Sequence, residues 1–181
     1  MTNSLIEILP ENIEVILDLR YFCENNIFQK KIYSSKQNFL HVKAYNNLQI
    51  AVKYAQRLGY KLKIFDAFRP IEAQKFMYNF FLDQPAYQNF FSNPATGSVP
   101  HCRGVALDLT LCDFNNQAID MGSDFDELSE LAYHNSGKIS QLQLNNRNIL
   151  LGIMTYAGFD FYQKEWWHYQ LFDARQYPII L

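Results

Sequence analysis

"SVPHCRGVALDLTL", residues 98–111, reads as a loop that runs into a strand, and it sets Asp108 among Val105, Ala106, Leu107, Leu109 and Leu111. A buried carboxylate without a partner is costly, so Asp108 requires a cation, a strong hydrogen-bond donor or a raised pKa. His101, upstream in the same stretch, points to a cation. In a straight strand the odd separation of the two residues would send their side chains to opposite faces, so the chain must bend between them. Gly104 permits the bend.

Outward from this stretch the elements alternate. Leu48, Ala51, Val52, Ala55 and Leu58 keep helical spacing and predict a helix over 43–58, with Gly59 as its C′ residue. "YKLKIFDAF" (60–68) sets Leu62 and Ile64 against Lys61 and Lys63, the alternation of a strand, and Pro70 then opens the helical "PIEAQKFMYNFFLD" (70–83). Residues 84–100, rich in Asn, Pro, Ser and Gly, form a loop. The strand predicted over 104–112 leads into "DFNNQAIDMGSDFDE" (113–127), which carries turn signals and little periodicity, a hairpin connection followed by a loop. Leu144, Ile149, Leu150, Ile153, Met154 and Ala157 mark a helix over 141–157 that Gly158 terminates, and "EWWHYQLF" (165–172) closes the sheet. Short antiparallel late strands favour an α+β class, a small antiparallel sheet flanked by helices, over a doubly wound sheet.

A chain of 181 residues with 49% hydrophobic content builds one globular domain, 1–181, and no repeat or linker divides it. The net charge of −2 gives no general reason to expect nucleic acid or an anionic membrane as partner, which leaves a small substrate. Cys23, Cys102 and Cys112 are too few and scattered for a disulfide framework and fit a reducing compartment. The N-terminal segment has no basic n-region, its apolar residues are broken by Glu7, Pro10, Glu11 and Glu14, and no run reaches the roughly 18 apolar residues of a membrane span. The expected location is cytoplasmic.

The chemistry concentrates in the opening stretch, in "DAFRP" (66–70) and in "EWWHY" (165–169). Two histidines and a carboxylate make a tripod for zinc that leaves a fourth position for water, the pattern of a catalytic site. His101, Asp108 and His168 supply that set, with one Zn2+ per chain. Parity separates Glu165 from His168, which puts Glu165 on the turn entering the last strand, within reach of the water but off the metal. Arg69 alone is a partner for Asp66 or a helix cap. Cys102 diverges from His101 and reads as a small packed side chain, as do Cys23 and Cys112. His41 and His134 lack partners at ligand spacing and read as structural or surface residues, and Trp166 and Trp167 as aromatics framing the site.

Together "PHCRGVALDLTL", "EWWHY" and "DAFRP" resemble the zinc D-Ala-D-Ala dipeptidases of the vancomycin-resistance type, within the wider D-Ala-D-Ala peptidase family. The family pattern is Ser-x-His-x-x-Gly-x-Ala-x-Asp, followed much later by Glu-x-x-His. His101, Gly104, Ala106, Asp108, Glu165 and His168 occupy those positions. Ser98 departs from it, lying three residues before His101 where the pattern has two. The resemblance implies a hedgehog/D-Ala-D-Ala peptidase-like fold and hydrolysis of a small dipeptide. It implies Glu165 as general base and Arg69 as stabiliser of the oxyanion. It also implies that Asp126 holds the substrate ammonium group, assisted by Tyr21. The alternatives are a D,D- or L,D-carboxypeptidase acting on peptidoglycan stems, which shares the zinc motif, and a zinc-stabilised binding domain without catalysis. Arg69 and Glu165 argue against the last.

Overall fold

The structure, a computed structural model, describes residues 5–84, 87 and 90–181. In chain order its elements are β1 (Leu5–Glu7), β2 (Val15–Leu17), β3 (Phe39–His41), α1 (Val42–Arg57), β4 (Lys61–Asp66), α2 (Ile71–Phe80), β5 (Ala106–Cys112), α3 (Gln141–Tyr156), β6 (Asp160–Phe161) and β7 (His168–Gln170). The main sheet has the order β2-β4-β5-β7-β6, and β1 pairs with β3 in a separate two-stranded ribbon. The α+β expectation holds, with two differences. The pairing of β2 with β4 is parallel, while the other pairs of the main sheet are antiparallel. And β7 does not close the sheet: it lies between β5 and the two-residue β6, which forms the edge.

Every residue of β5 is buried, because the sheet is covered on both faces, and this accounts for its nearly unbroken apolar run. Ala44, Leu48, Ala51 and Ala55 of α1 pack with Leu150, Ile153 and Met154 of α3 against Leu62, Ile64, Leu107, Leu109 and Leu111 of the sheet. A second cluster gathers Tyr21, Phe28 and Tyr33 around Met77, Phe81 and Phe91, fixing α2 to the segment after β2. The site lies where these two clusters meet, and Phe125 packs on both.

The bend demanded by Asp108 is a 3-10 turn, Pro100–Arg103, closed by Gly104 at φ +66. A side chain there would strike Leu5 and the backbone of His41. The turn consumes the residues expected to begin the strand, so β5 starts at Ala106 and not at 104. Helix α1 is capped by His41, whose Nδ1 accepts from the Lys43 amide, which gives that histidine its structural role. Helix α3 begins in a capping box, with Ser140 and Gln143 exchanging side-chain and backbone hydrogen bonds. From α3 the buried Arg147 donates to the carbonyls of Met121, Leu131 and Tyr133 and so fixes the long segment between β5 and α3.

His134, at the end of that segment, is buried between Phe161 and Tyr169, and neither ring nitrogen has a hydrogen-bond partner among the described residues. Burial, aided by the Arg147 charge, pulls its pKa from 6.5 to about 4. The unfolded chain therefore binds an extra proton below pH 6.5. The stability held by the neutral imidazole is complete above that pH and falls away as the pH drops toward 4, by about 3 kcal/mol in total. His134→Phe removes this dependence. The loss of urea resistance between pH 7 and 4.5 is expected to be visibly steeper for the wild-type protein than for the variant; equal slopes would assign the acid sensitivity elsewhere.

Candidate metal and substrate site

Asp108 and His168 are directly paired across the antiparallel β5–β7 ladder, so their side chains leave the same face of the sheet. His101 enters from the 3-10 turn. Its Nδ1 donates to the Ala67 carbonyl at 2.7 Å, which leaves Nε2 as a lone-pair nitrogen. That nitrogen lies 3.2 Å from His168 Nδ1 and 3.3 Å from Asp108 Oδ1, and His168 Nδ1 lies 3.0 Å from the same oxygen. Three donors placed 2.0–2.1 Å from a tetrahedral centre stand about 3.3 Å apart. The buried His101, Asp108 and His168 thus form a donor set of the size and chemistry of a zinc tripod. Burial raises the pKa of Asp108, but the two imidazoles more than offset this and hold it well below the usual carboxylate range. The carboxylate is therefore ionised and ready to ligate.

Glu165 sits on the turn before β7, where its amide donates to the Tyr162 carbonyl and the His168 amide donates to its own carbonyl. Its Oε2 is 3.9 Å from His168 Nδ1, beside the cluster but outside it, as the strand parity requires. Burial lifts its pKa to about 7, against the lowering effect of His168. Such a carboxyl takes and returns a proton near neutrality.

Arg69 pairs with Asp66 and also reaches the cluster. Its Nε and Nη2 donate to Asp66 Oδ2 at 3.0 and 2.7 Å, and Nη2 also reaches Asp108 Oδ2 at 3.4 Å. Nη1 donates to Gln74, whose amide in turn donates to the Ser92 carbonyl, and Tyr33 donates to the second Asp66 oxygen. Burial acts against the guanidinium charge, but Asp66 more than offsets it and keeps the pKa well above normal. The salt bridge is the device that aims the cation at the cluster. Tyr33 and Gln74 escaped the sequence reading because neither stands within a chemical motif; Asp66, three residues before Arg69 in "DAFRP", was visible as a partner.

Asp126 is not a solvated loop residue. It is half-buried at φ +63, a left-handed conformation that Asp tolerates better than most residues, and the Tyr21 hydroxyl bridges its two carboxylate oxygens at 2.9 and 3.0 Å. Burial raises its pKa well above normal, and Tyr21 only partly counters this. Asp126 is thus a half-buried acid without an ion-pair partner among the described residues. Both residues line the same cavity as the tripod, Glu165 and Arg69, a space of about 290 Å³. That is the lower end of the range for ligand pockets, which suits a small substrate.

Ser98 also lines this cavity, although its spacing from His101 is one residue too long. The extra residue is absorbed at Val99, which takes φ +39. Trp167 forms part of the wall, whereas Trp166 faces the other way and donates to Ser123. Cys102 and Cys112 are buried as expected, and burial pushes the Cys102 thiol up to about 11. Cys23 is exposed, which corrects its assignment as a packed side chain: it follows a short 3-10 turn at the surface.

An α+β sheet that sets a His-Asp-His cluster, an adjacent acid and an aimed arginine into one small cavity defines a metallopeptidase. The profile described as D-Ala-D-Ala dipeptidase matches residues 4–179, and the chain belongs to that family. It is 35% identical over 179 residues to the D-alanyl-D-alanine dipeptidase of Escherichia coli, covering 99% of this chain and 90% of that protein. It is 31% identical over 145 residues to the protein of the same name from Enterococcus faecalis, covering 72% of this chain and 71% of the relative. A third relative so named, from Enterococcus faecium, is 43% identical over 79 residues, 43% of this chain and 39% of its own. No helix among the described residues is long and apolar enough to cross a membrane.

Proposed function

We propose that this protein is a zinc-dependent dipeptidase that hydrolyses D-Ala-D-Ala, with one Zn2+ held by His101, Asp108 and His168. The observation that carries the specificity is the half-buried Asp126, bonded to Tyr21 in the same small cavity as the proposed tripod. A carboxylate half withdrawn from water that has no cation beside it is a receptor for one, and the free ammonium of a dipeptide supplies it. The relatives' printed names support the same substrate.

When bound, zinc supplies a Lewis acid and lowers the pKa of a water from about 15.7 toward about 7. Glu165 takes the proton of the attacking water at its carboxylate and returns it to the leaving amine nitrogen. Arg69, held in place by Asp66, faces the oxygen on which negative charge develops. Asp126 and Tyr21 hold the ammonium end, so the distance from the N-terminus to the scissile bond is fixed and longer chains are excluded. The enzyme forms no covalent intermediate.

The test is Asp126→Asn, which deletes the charge, keeps the volume and tolerates the same left-handed backbone. Free D-Ala-D-Ala should lose at least about tenfold in kcat/KM, since a charge-assisted hydrogen bond contributes ~1.5–3 kcal/mol. N-acetyl-D-Ala-D-Ala, which is expected to be a far poorer substrate of the wild type, should change little. Equal losses on both would deny Asp126 this role, and efficient cleavage of a longer stem peptide ending in D-Ala-D-Ala would make the protein a carboxypeptidase.

A further inference from the structure

Gln170 follows His168 by two residues on β7 and so projects from the same face of the sheet. Its backbone is fixed on both sides, by Ala106 of β5 and Asp160 of β6. Its Oε1 lies 3.1 Å from His168 Nε2, the ring nitrogen that faces away from His101 and Asp108. An amide oxygen can only accept, so this contact places a hydrogen on Nε2 and leaves the lone pair of the neutral ring on Nδ1. Nδ1 is the atom 3.0 Å from Asp108 and 3.2 Å from His101. The Ala67 carbonyl does the same for His101 from the other side.

From this geometry we infer that Gln170 is a positioning residue for the metal site, setting the tautomer and ring orientation of His168 so that Nδ1 is presented to the ion. The inference rests on the proposal that His101, Asp108 and His168 hold zinc. Without an acceptor at Nε2, the ring is free to rotate about its χ2 bond or to carry its proton on Nδ1, and either change removes one of three ligands. Outer partners of metal-bound histidines typically contribute 10–100-fold to metal affinity. Gln170 also performs this task without charge. A carboxylate in its place would add a further acidic group to a cavity already lined by Asp108, Asp126 and Glu165, and the amide avoids that.

The experiment measures zinc affinity by competition with a chelator of known affinity, on full-length protein, for the wild type, Gln170→Leu, Gln170→Glu and His168→Ala. Gln170→Leu should bind zinc at least tenfold more weakly. Gln170→Glu, which keeps an acceptor at the same reach and makes the imidazole more basic, should bind as tightly as wild type or more tightly. Circular dichroism of the metal-free proteins checks the fold, and Gln170→Met replaces the leucine variant if the latter does not fold. A loss below tenfold in the variant without an acceptor overturns the inference. So do equal losses in Gln170→Leu and Gln170→Glu, which would reduce Gln170 to packing. His168→Ala tests the underlying proposal separately: unchanged affinity there would dismiss the tripod itself.

Discussion

Glu165→Gln is expected to keep one zinc per chain and a normal fold while kcat falls by about 10²–10⁴-fold, the usual contribution of a positioned acid–base group. The side chain lies 3.9 Å from His168 Nδ1 and is not one of the three clustered donors, so its loss spares the metal. Glutamine matches its shape and cannot accept a proton at neutral pH. The variant therefore separates proton transfer from substrate binding: KM for D-Ala-D-Ala should stay within a few-fold of wild type while kcat collapses. Metal analysis and steady-state kinetics on the same preparation check both halves. Retention of more than a tenth of wild-type kcat would remove Glu165 as the base.

The second large effect is expected at Arg69. Loss of one preorganised donor to a developing oxyanion costs about 10²–10³-fold in kcat, and Arg69→Lys should fall in that range although it keeps the charge. The arginine uses Nε and Nη2 on Asp66, Nη1 on Gln74, and Nη2 again toward Asp108. A lysine ammonium has one nitrogen and cannot hold Asp66 and Gln74 while also facing the cluster. The buried Asp66 keeps a cationic neighbour, so the fold survives and the loss is read in kcat. Unfolding by urea monitors the first point. A variant as stable and as active as wild type would leave Arg69 only its salt bridge.

The proposed metal ligands were legible in the sequence because their chemistry is rare: a carboxylate inside an apolar run asks for a cation, and two histidines and a glutamate stand at suggestive intervals. The bend at Gly104 and the place of Glu165 followed from strand parity alone. Other features depended on the fold. Nothing in "EWWHYQLF" reveals that β7 is an inner strand, because the two-residue β6 that covers it has no recognisable pattern. The parallel register of β2 on β4 was likewise hidden, since a three-residue strand carries no direction. Asp126 was reached only through resemblance. An acidic residue in an acidic loop reads as solvated, and its partial burial is imposed by Tyr21, distant in sequence, which bonds to it and packs against the neighbouring Phe125. Gln74 and Gln170 are ordinary polar residues until their neighbours are known.

Arg147 reaches out of α3 to hold the carbonyls of Met121, Leu131 and Tyr133, and Asp126 lies within the span it clamps. Those acceptors are backbone atoms, which every residue type supplies equally. The path of this loop is thus held in large part by a side chain outside it, together with Phe125, which packs on both core clusters, and Ser123, which accepts from Trp166. Asp124 and Glu127, whose side chains make no hydrogen bond or ion pair among the described residues, are therefore the places in this loop where new chemistry can be introduced. A designer seeking to admit a different amino terminus can vary those two positions while Arg147 preserves the course of the loop.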